Sequence, residues 1–378
     1  MTNPAGQVLS WAASAVAPSA QVVSSTGLRA GGNPWLLRLA GAGSTSEVVL
    51  KTGDPLFSPG RQLRTTVAAL ELAADHAVAA PRLIAADLDG SAAGTMAVLM
   101  TVLPGSSKIP RAASAARLRA LGATAGALRH VALAPRPGLE LRTRALHDMD
   151  FGYWRGKAGT TQLLARAEER IAGMPVPDGE LVLVHGDLWQ GNTIFSGDSC
   201  SGMIDWDTAG AGSPGIDLGT LRLDAALFFG SSPLASTGLT AADEVLAGWQ
   251  QAARRPAEHV AYWDVAAALC TVGDMACCMP DDVVGELGRS DLNAATRTAR
   301  RDAFLAAALD QLEPPDKRYD AAIQIPLATC TAAPEPAVPA QNTHSAAASG
   351  TGSVFTCRRH WSVPSGSRLR RAILLRAQ

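Results

Sequence analysis

The stretch LVLVHGDLWQGNTIF at residues 181–195, together with MIDWD at residues 203–207, decides the fold. Residues 181–184 are an apolar run that reads as a strand delivering the chain to His185, Gly186 and Asp187. Residues 193–195 read as a second strand, 196–202 as a turn and 203–206 as the returning strand. Pairing across that turn folds Asn192 back beside Asp205, with Asp187 close by. An amide oxygen and a carboxylate are hard ligands of the kind Mg²⁺ prefers. Asp187, five residues before the amide, is placed to orient an attacking hydroxyl and accept its proton. Each residue alone is an ordinary turn former; in this order, on a strand, a loop and a hairpin, the set fits phosphoryl transfer.

Working outward, three regions are expected. Residues 20–103 carry strand signals at 36–39, 47–51, 82–86 and 96–102. Between them Leu63, Val67, Leu70 and Ala74 form the stripe of an amphipathic helix that Pro81 ends. Residues 104–312 are dominated by helical patterns at 112–130, 161–174, 239–254, 259–279 and 293–312, interrupted by the insert at 181–217. Residues 313–378 combine Pro314-Pro315, a run of Ala, Pro, Thr and Ser, and a basic end, the composition of a disordered tail.

Hydrophobic residues make up 47% of the 378-residue chain and charged residues 18%, so most of it should fold around a core. The net charge of −1 gives no general attraction to nucleic acid or to an anionic membrane. No apolar run is long enough to span a bilayer, and the first basic residue, Arg29, comes too late for a secretory leader. Six cysteines show no CxxC and no zinc-ligand spacing, and Cys270, Cys277 and Cys278 read as small buried hydrophobes. A cytoplasmic location is the expectation.

The central motif resembles that of the aminoglycoside phosphotransferase family, relatives of the protein kinases. His185, Gly186, Asp187 and Asn192 match its H-G-D-x-x-x-x-N, and Ile204-Asp205-Trp206 its I-D-W. Ala80-Pro81-Arg82-Leu83, residues 100–105, Tyr262-Trp263-Asp264 and residues 300–305 match more loosely, so that the resemblance covers about residues 20–312. It implies an α+β, two-lobed, protein-kinase-like fold. A small β-rich N-terminal lobe over residues 20–103 would bind nucleotide, and a larger, mainly helical lobe over 104–312 would hold catalysis and substrate. It implies ATP and Mg²⁺, Asp187 as catalytic base, and Asn192 and Asp205 as metal ligands. Lys51 would neutralise the α- and β-phosphates, Thr101 and Leu103 would meet the adenine at the hinge, and Asp217 would hold the catalytic loop. His185 would orient that loop, and the glycine-rich residues 27–33 would cover the phosphates. Asp207 either assists a second metal or caps the turn.

One position departs from the pattern. The glutamate that pairs with the lysine aligns with Thr66, and Glu71, five residues on, points about 140° away. Either Glu71 lies on a shifted helix or Lys51 is held by phosphate alone. Gly186 stands where regulated protein kinases carry Arg, and only eleven residues separate Asp205 from Asp217, so a small acceptor is favoured over a protein. The family implies antibiotic O-phosphorylation, an aminoglycoside first. Choline-, homoserine- or fructosamine-like hydroxyls are the alternative, and a catalytically weak nucleotide-binding module is a third reading. Asp274, Asp281, Asp282, Glu286 and Asp291 form either a carboxylate-lined pocket for a cationic acceptor or a solvated loop between helices.

Overall fold

Residues 4–28, 32–41, 44–53 and 59–312 are described by the computed structural model. The expected tail at 313–378 and residues 29–31 of the glycine-rich loop lie outside them. The chain opens with helix α1 (Gly6–Val16), then strands β1 (Gln21–Gly27), β2 (Trp35–Gly41) and β3 (Ser44–Thr52). Helix α2 (Pro59–Asp75) leads to β4 (Leu83–Asp87) and β5 (Ala97–Thr101). The strands form one antiparallel five-stranded sheet in the order β1-β2-β3-β5-β4.

Side chains alternate across that sheet. Trp35, Leu37 and Leu39 of β2, Val48 and Leu50 of β3, and Ala97 and Leu99 of β5 share a core with Val8, Ala12 and Ala13 of α1. Val98 and Met100 turn the other way, into the core that holds Leu63 and Leu70 of α2. Helix α1 precedes residue 20, where the first region was expected to begin, and supplies the cover for one face. Its stripe is largely alanine, too weakly apolar to announce a buried helix.

Three small strand pairings and a helical layer make the second lobe. In order come α3 (Ala115–Leu128), β6 (Leu141–Arg142), α4 (Phe151–Ala158), α5 (Gln162–Ala172), β7 (Val182–Val184), β8 (Thr193–Ser196), β9 (Ser199–Met203) and β10 (Gly210–Gly212). Helices α6 (Gly215–Phe229), α7 (Ala241–Ala253), α8 (Val260–Ala268), α9 (Met275–Cys278), α10 (Asp281–Glu286) and α11 (Ala294–Gln311) follow. Side-chain caps set several starts: Ser114 accepts from Arg117 N before α3, Thr161 from Leu164 N before α5, and Thr240 forms a capping box with Asp243 at α7.

The helix expected over 259–279 is two helices, α8 and α9, with an irregular link. Buried Arg301 explains the break. Its guanidinium donates to the carbonyls of Val272 and Gly273 at 2.7 and 3.1 Å and to the Thr271 hydroxyl at 2.9 Å, groups a continuous helix would commit otherwise. Tyr262-Trp263-Asp264 likewise serves packing: Asp264 takes a bidentate pair from Arg222 of α6, at 3.0 Å from both Nε and Nη2. The returning strand expected at 203–206 is displaced, since β9 runs Ser199–Met203 and pairs Thr193 with Met203.

Helices α3 and α7 approach so closely that glycine is required at the contact. A Cβ on Gly122 would lie 1.9 Å from the Val245 carbonyl oxygen, and one on Gly248 would lie 2.0 Å from that of Arg119. Alanine gains about 1 kcal/mol over glycine in a helix, but forcing these backbones apart costs more. Gly122→Ala should therefore lower stability by about 3 kcal/mol net, read from urea unfolding midpoints; an unchanged or raised midpoint would show that the pair yields freely.

Candidate active site

The hairpin β8–β9 is held from three sides. Ser106 and Phe195 exchange backbone hydrogen bonds at 2.9 Å each, tying it to the chain just after the hinge, and Met203 N donates to the Ala79 carbonyl at 2.9 Å, tying it to the first lobe. At the start of α3, Ser114 donates to Asp198 at 2.7 Å, while Arg117 donates to the Gly197 carbonyl and lies 3.8 Å from the Phe195 ring centroid. At the mouth of the hairpin Ile204 N donates to the Asn192 carbonyl at 2.9 Å, which sets Asn192 beside the following residue, Asp205. Asp205 adopts the left-handed conformation, φ 66° and ψ 59°, so its side chain leaves the direction a strand would give it.

The loop between β7 and β8 is fixed by its own backbone. Both carboxylate oxygens of Asp217, in the first turn of α6, accept main-chain N–H groups, from His185 at 2.7 Å and Gly186 at 2.9 Å. Burial pushes the Asp217 carboxyl up, against the pull of His185 and these two bonds. His185 is fully buried, its Nε2 lies 2.8 Å from the Ile204 carbonyl, and burial lowers its pKa, which keeps the ring neutral. Gly186 has φ +77°, and a Cβ there would sit 2.5 Å from the Thr208 carbonyl oxygen, so no larger residue fits. Asn192 Nδ2 donates to the Asp187 carbonyl at 2.9 Å and to its Oδ2 at 3.3 Å. The amide oxygen of Asn192 accepts no hydrogen bond among the described residues.

Lys51 crosses from β3 to this centre. Its Nζ lies 2.5 Å from Asp205 Oδ1 and 2.7 Å from Asp207 Oδ1. Burial alone would depress the ammonium, but the two carboxylates outweigh it and hold its pKa above the ordinary lysine value. Thr66 donates to Asp207 Oδ1 at 2.6 Å. Neither alternative drawn from the sequence for Lys51 describes this: Glu71 is exposed, and Asp207, oriented by Thr66, supplies the partner carboxylate. The pairing was hidden because Thr66 and Asp207 lie 141 residues apart.

The hinge residues differ in what they offer. Thr101 N donates to the Arg82 carbonyl at 2.9 Å and its hydroxyl accepts from Arg82 N at 2.9 Å, so both groups are committed to pairing within the lobe. Leu103 makes no backbone hydrogen bond among the described residues. Its N–H and carbonyl are available to a planar ligand.

Beside Asp187 opens a cavity of about 110 Å³. Its wall is largely apolar, including Met149, Phe151, Leu223, Leu227 and Met275, and Asp224 is the second carboxylate on it. Sequence reasoning missed Asp224, which sits in the interior of α6 with no motif to mark it. Of the acidic residues at 274–291, none lines the cavity. Asp281 pairs with Arg297 and Asp291 with Arg289, each at 2.9 Å, and Asp274 caps α9. Cys270 and Cys278 do line it, and burial raises their thiols to about 11 and about 12, so both stay protonated.

A phosphotransferase enzyme family model matches residues 28–258, more than half of the chain. The chain belongs to the phosphotransferase enzyme family. Solved structures similar to this family member include a macrolide 2′-phosphotransferase from Brachybacterium faecium, at 18% identity over 81% of this chain and 99% of that one, with TM-score 0.47. A choline/ethanolamine kinase family protein from Mesorhizobium loti matches at 15% identity over 74% and 86%, with TM-score 0.42. A mutant aminoglycoside phosphotransferase APH(4)-Ia, in ternary complex with AMP-PNP and hygromycin B, matches at 14% over 80% and 99%, with TM-score 0.48. No curated protein matched the chain. The fold is that of the family, an antiparallel N-terminal sheet followed by a mainly helical lobe.

Two measurements probe this phosphotransferase centre. A double-mutant cycle of Thr66→Val with Asp207→Ala should give a coupling of about 1 kcal/mol in unfolding free energy; additive losses would deny the bond a role. Asp224 is held up to about 7 by burial, against two hydrogen bonds from Gln190, whereas the ordinary value is 3.8. Because the folded value is the higher one, ionising this group costs stability as pH climbs from about 4 through about 7. Asp224→Asn should thus be the more stable protein at pH 8, by up to about 4 kcal/mol, with the advantage gone near pH 4; parallel melting curves at both pH values check it.

Proposed function

We propose that this chain transfers the γ-phosphoryl group of ATP to a hydroxyl of a small molecule. The observation that supports this most is the junction of Asp187, Asn192 and Asp205 at the mouth of one clamped hairpin, with Lys51 delivered to it from the other lobe. In this reading the acceptor oxygen forms a bond to the γ-phosphorus while the bond from phosphorus to the departing ADP oxygen breaks. Asp187 takes the hydroxyl proton, its carboxylate oriented by Asn192 Nδ2.

Asn192 through its amide oxygen and Asp205 through its carboxylate are the donors that suit a hard cation. No group of three His, Cys, Asp or Glu side chains poised for a metal is found among the described residues; the proposed centre would use one amide and one carboxylate, with phosphate and water at the other positions. Bound there, Mg²⁺ would neutralise phosphate charge. Lys51 stays protonated beside its carboxylates and supplies a second cation for the phosphates. Leu103 offers the backbone groups for the adenine edge; Thr101 shapes the strand leading to it and has its own N–H committed. His185 and Asp217 position the loop.

The strand-rich residues 20–103, with α1, would form the nucleotide lobe and residues 104–312 the catalytic lobe. Between Asp205 and Asp217 the chain makes a short turn at Trp206–Thr208 and β10, leaving no platform for a peptide, which favours a small acceptor. The weak-module reading was motivated by Thr66, and Asp207 removes that motive by partnering Lys51. ATP as donor suits a cytoplasmic enzyme, and no helix among the described residues is long and apolar enough to cross a membrane.

Asp187→Ala should lower kcat by about a thousandfold while Mg-ATP binding persists, followed by ADP release and calorimetry on one preparation. Near-full turnover in that variant would remove Asp187 from the role of base. Asp205→Ala should lose the metal-dependent part of nucleotide affinity, and an unchanged Kd with and without Mg²⁺ would count against its place.

A further inference from the structure

The cavity beside Asp187 has the wrong chemistry for a polycation. An aminosugar with several ammonium groups would have to shed water against methionine, leucine and phenylalanine side chains, with no carboxylate for most of its charges. Of the acidic residues at 274–291 none lines the cavity: Asp291 and Asp281 pair with Arg289 and Arg297, Asp274 caps a helix, and Asp282 and Glu286 are exposed.

Asp224 supplies the second observation. It is 3% exposed and lines the cavity, with Gln190 N and Nε2 donating to its Oδ2 at 3.1 and 2.9 Å. Its Oδ1 has no partner among the described residues. A carboxylate buried among apolar side chains with one oxygen unmatched is costly to keep, and a ligand cation entering the cavity would match it. The volume, about 110 Å³, is below that of an apolar cavity of about 150 Å³ known to hold benzene, so the enclosed portion takes one small alkyl group or part of an aryl ring.

Resting on the phosphotransferase reading above, we propose that the acceptor is an apolar alcohol bearing a single ammonium group. Its hydroxyl lies at Asp187, its ammonium at Asp224 Oδ1, and its alkyl or aryl body against Phe151, Leu223, Leu227 and Met275. Asp224 is then the residue that selects one charge and no more.

The test uses the full chain with Mg-AMP-PNP, titrated by calorimetry with ethanolamine, leucinol, phenylalaninol, the amine-free hydrocinnamyl alcohol and the polycation kanamycin. Affinity should climb from ethanolamine to leucinol by about threefold to fourfold for each methylene buried. Phenylalaninol should exceed hydrocinnamyl alcohol by about tenfold or more, and Asp224→Asn should bring that ratio close to one. Should that variant fail to fold, Leu227→Ala, which widens the cavity, should shift preference from leucinol towards phenylalaninol. A flat series, a ratio untouched by Asp224→Asn, or kanamycin binding tighter than every amino alcohol overturns the proposal.

Phosphate transfer from Mg-ATP, followed by mass spectrometry on the same compounds, separates the two levels. Transfer to kanamycin with no binding of the amino alcohols sinks the acceptor class and leaves the phosphotransferase standing. Amino-alcohol binding that follows the expected series, with no transfer to any compound, supports the ligand class and sinks the phosphotransferase reading.

Discussion

A single lysine ammonium between two carboxylates ties the halves of this molecule to each other. Lys51 reaches from the central strand of the first lobe to Asp205 and Asp207 of the second. Two carboxylates this close repel unless a cation lies between them, and the Lys51 ammonium is that cation. The Thr66 hydroxyl fixes one of the two, and Arg61 and Asp148 form a further ion pair between α2 and the second lobe. Charge balance at the cleft therefore depends on both lobes at once.

Rigidity of the loop that carries Asp187 comes from backbone hydrogen bonds. Asp217 accepts two main-chain N–H groups, His185 reaches the Ile204 carbonyl, and Thr208 donates to the His185 carbonyl at 3.0 Å. Buried Arg142 donates to the carbonyls of Thr208 and Ala209, each at 2.9 Å, so the far side of the turn is fixed as well. These groups touch no reacting atom in the proposed chemistry. They set where Asp187 and Asn192 point, which is what a phosphoryl-transfer centre most requires of its protein.

The cavity beside Asp187 follows a different physical logic. Around Lys51, Asp205 and Asp207 charges are paired closely, whereas the adjoining cavity is walled by apolar side chains and keeps one carboxylate with an unmatched oxygen. Such a group costs the fold stability as pH rises from about 4 through about 7. A native protein commonly accepts that cost where a ligand is to be bound. In the proposed reading the two halves of the site divide the work, one handling phosphate charge and the other selecting shape and a single cation.

The linear sequence alone specified the family, the two-lobed α+β architecture and the grouping of Asp187 with Asn192, because residues 181–207 form a local unit whose strands, turn and polar groups lie close together in the chain. Helix caps such as Thr240 with Asp243 are equally local and equally legible. Other features had to wait for the tertiary structure. Helix α1 is marked mainly by alanines and is recognisable only from the sheet face it covers. The helix expected over 259–279 breaks because a distant Arg301 claims its carbonyls. The replacement of a helix glutamate by Asp207 and Thr66, and the placing of Asp224 rather than the 274–291 carboxylates at the cavity, join residues far apart in sequence. Periodicity and spacing report what neighbours along the chain can do; which distant carboxylate meets which cation is decided only when the packed core fixes their separation.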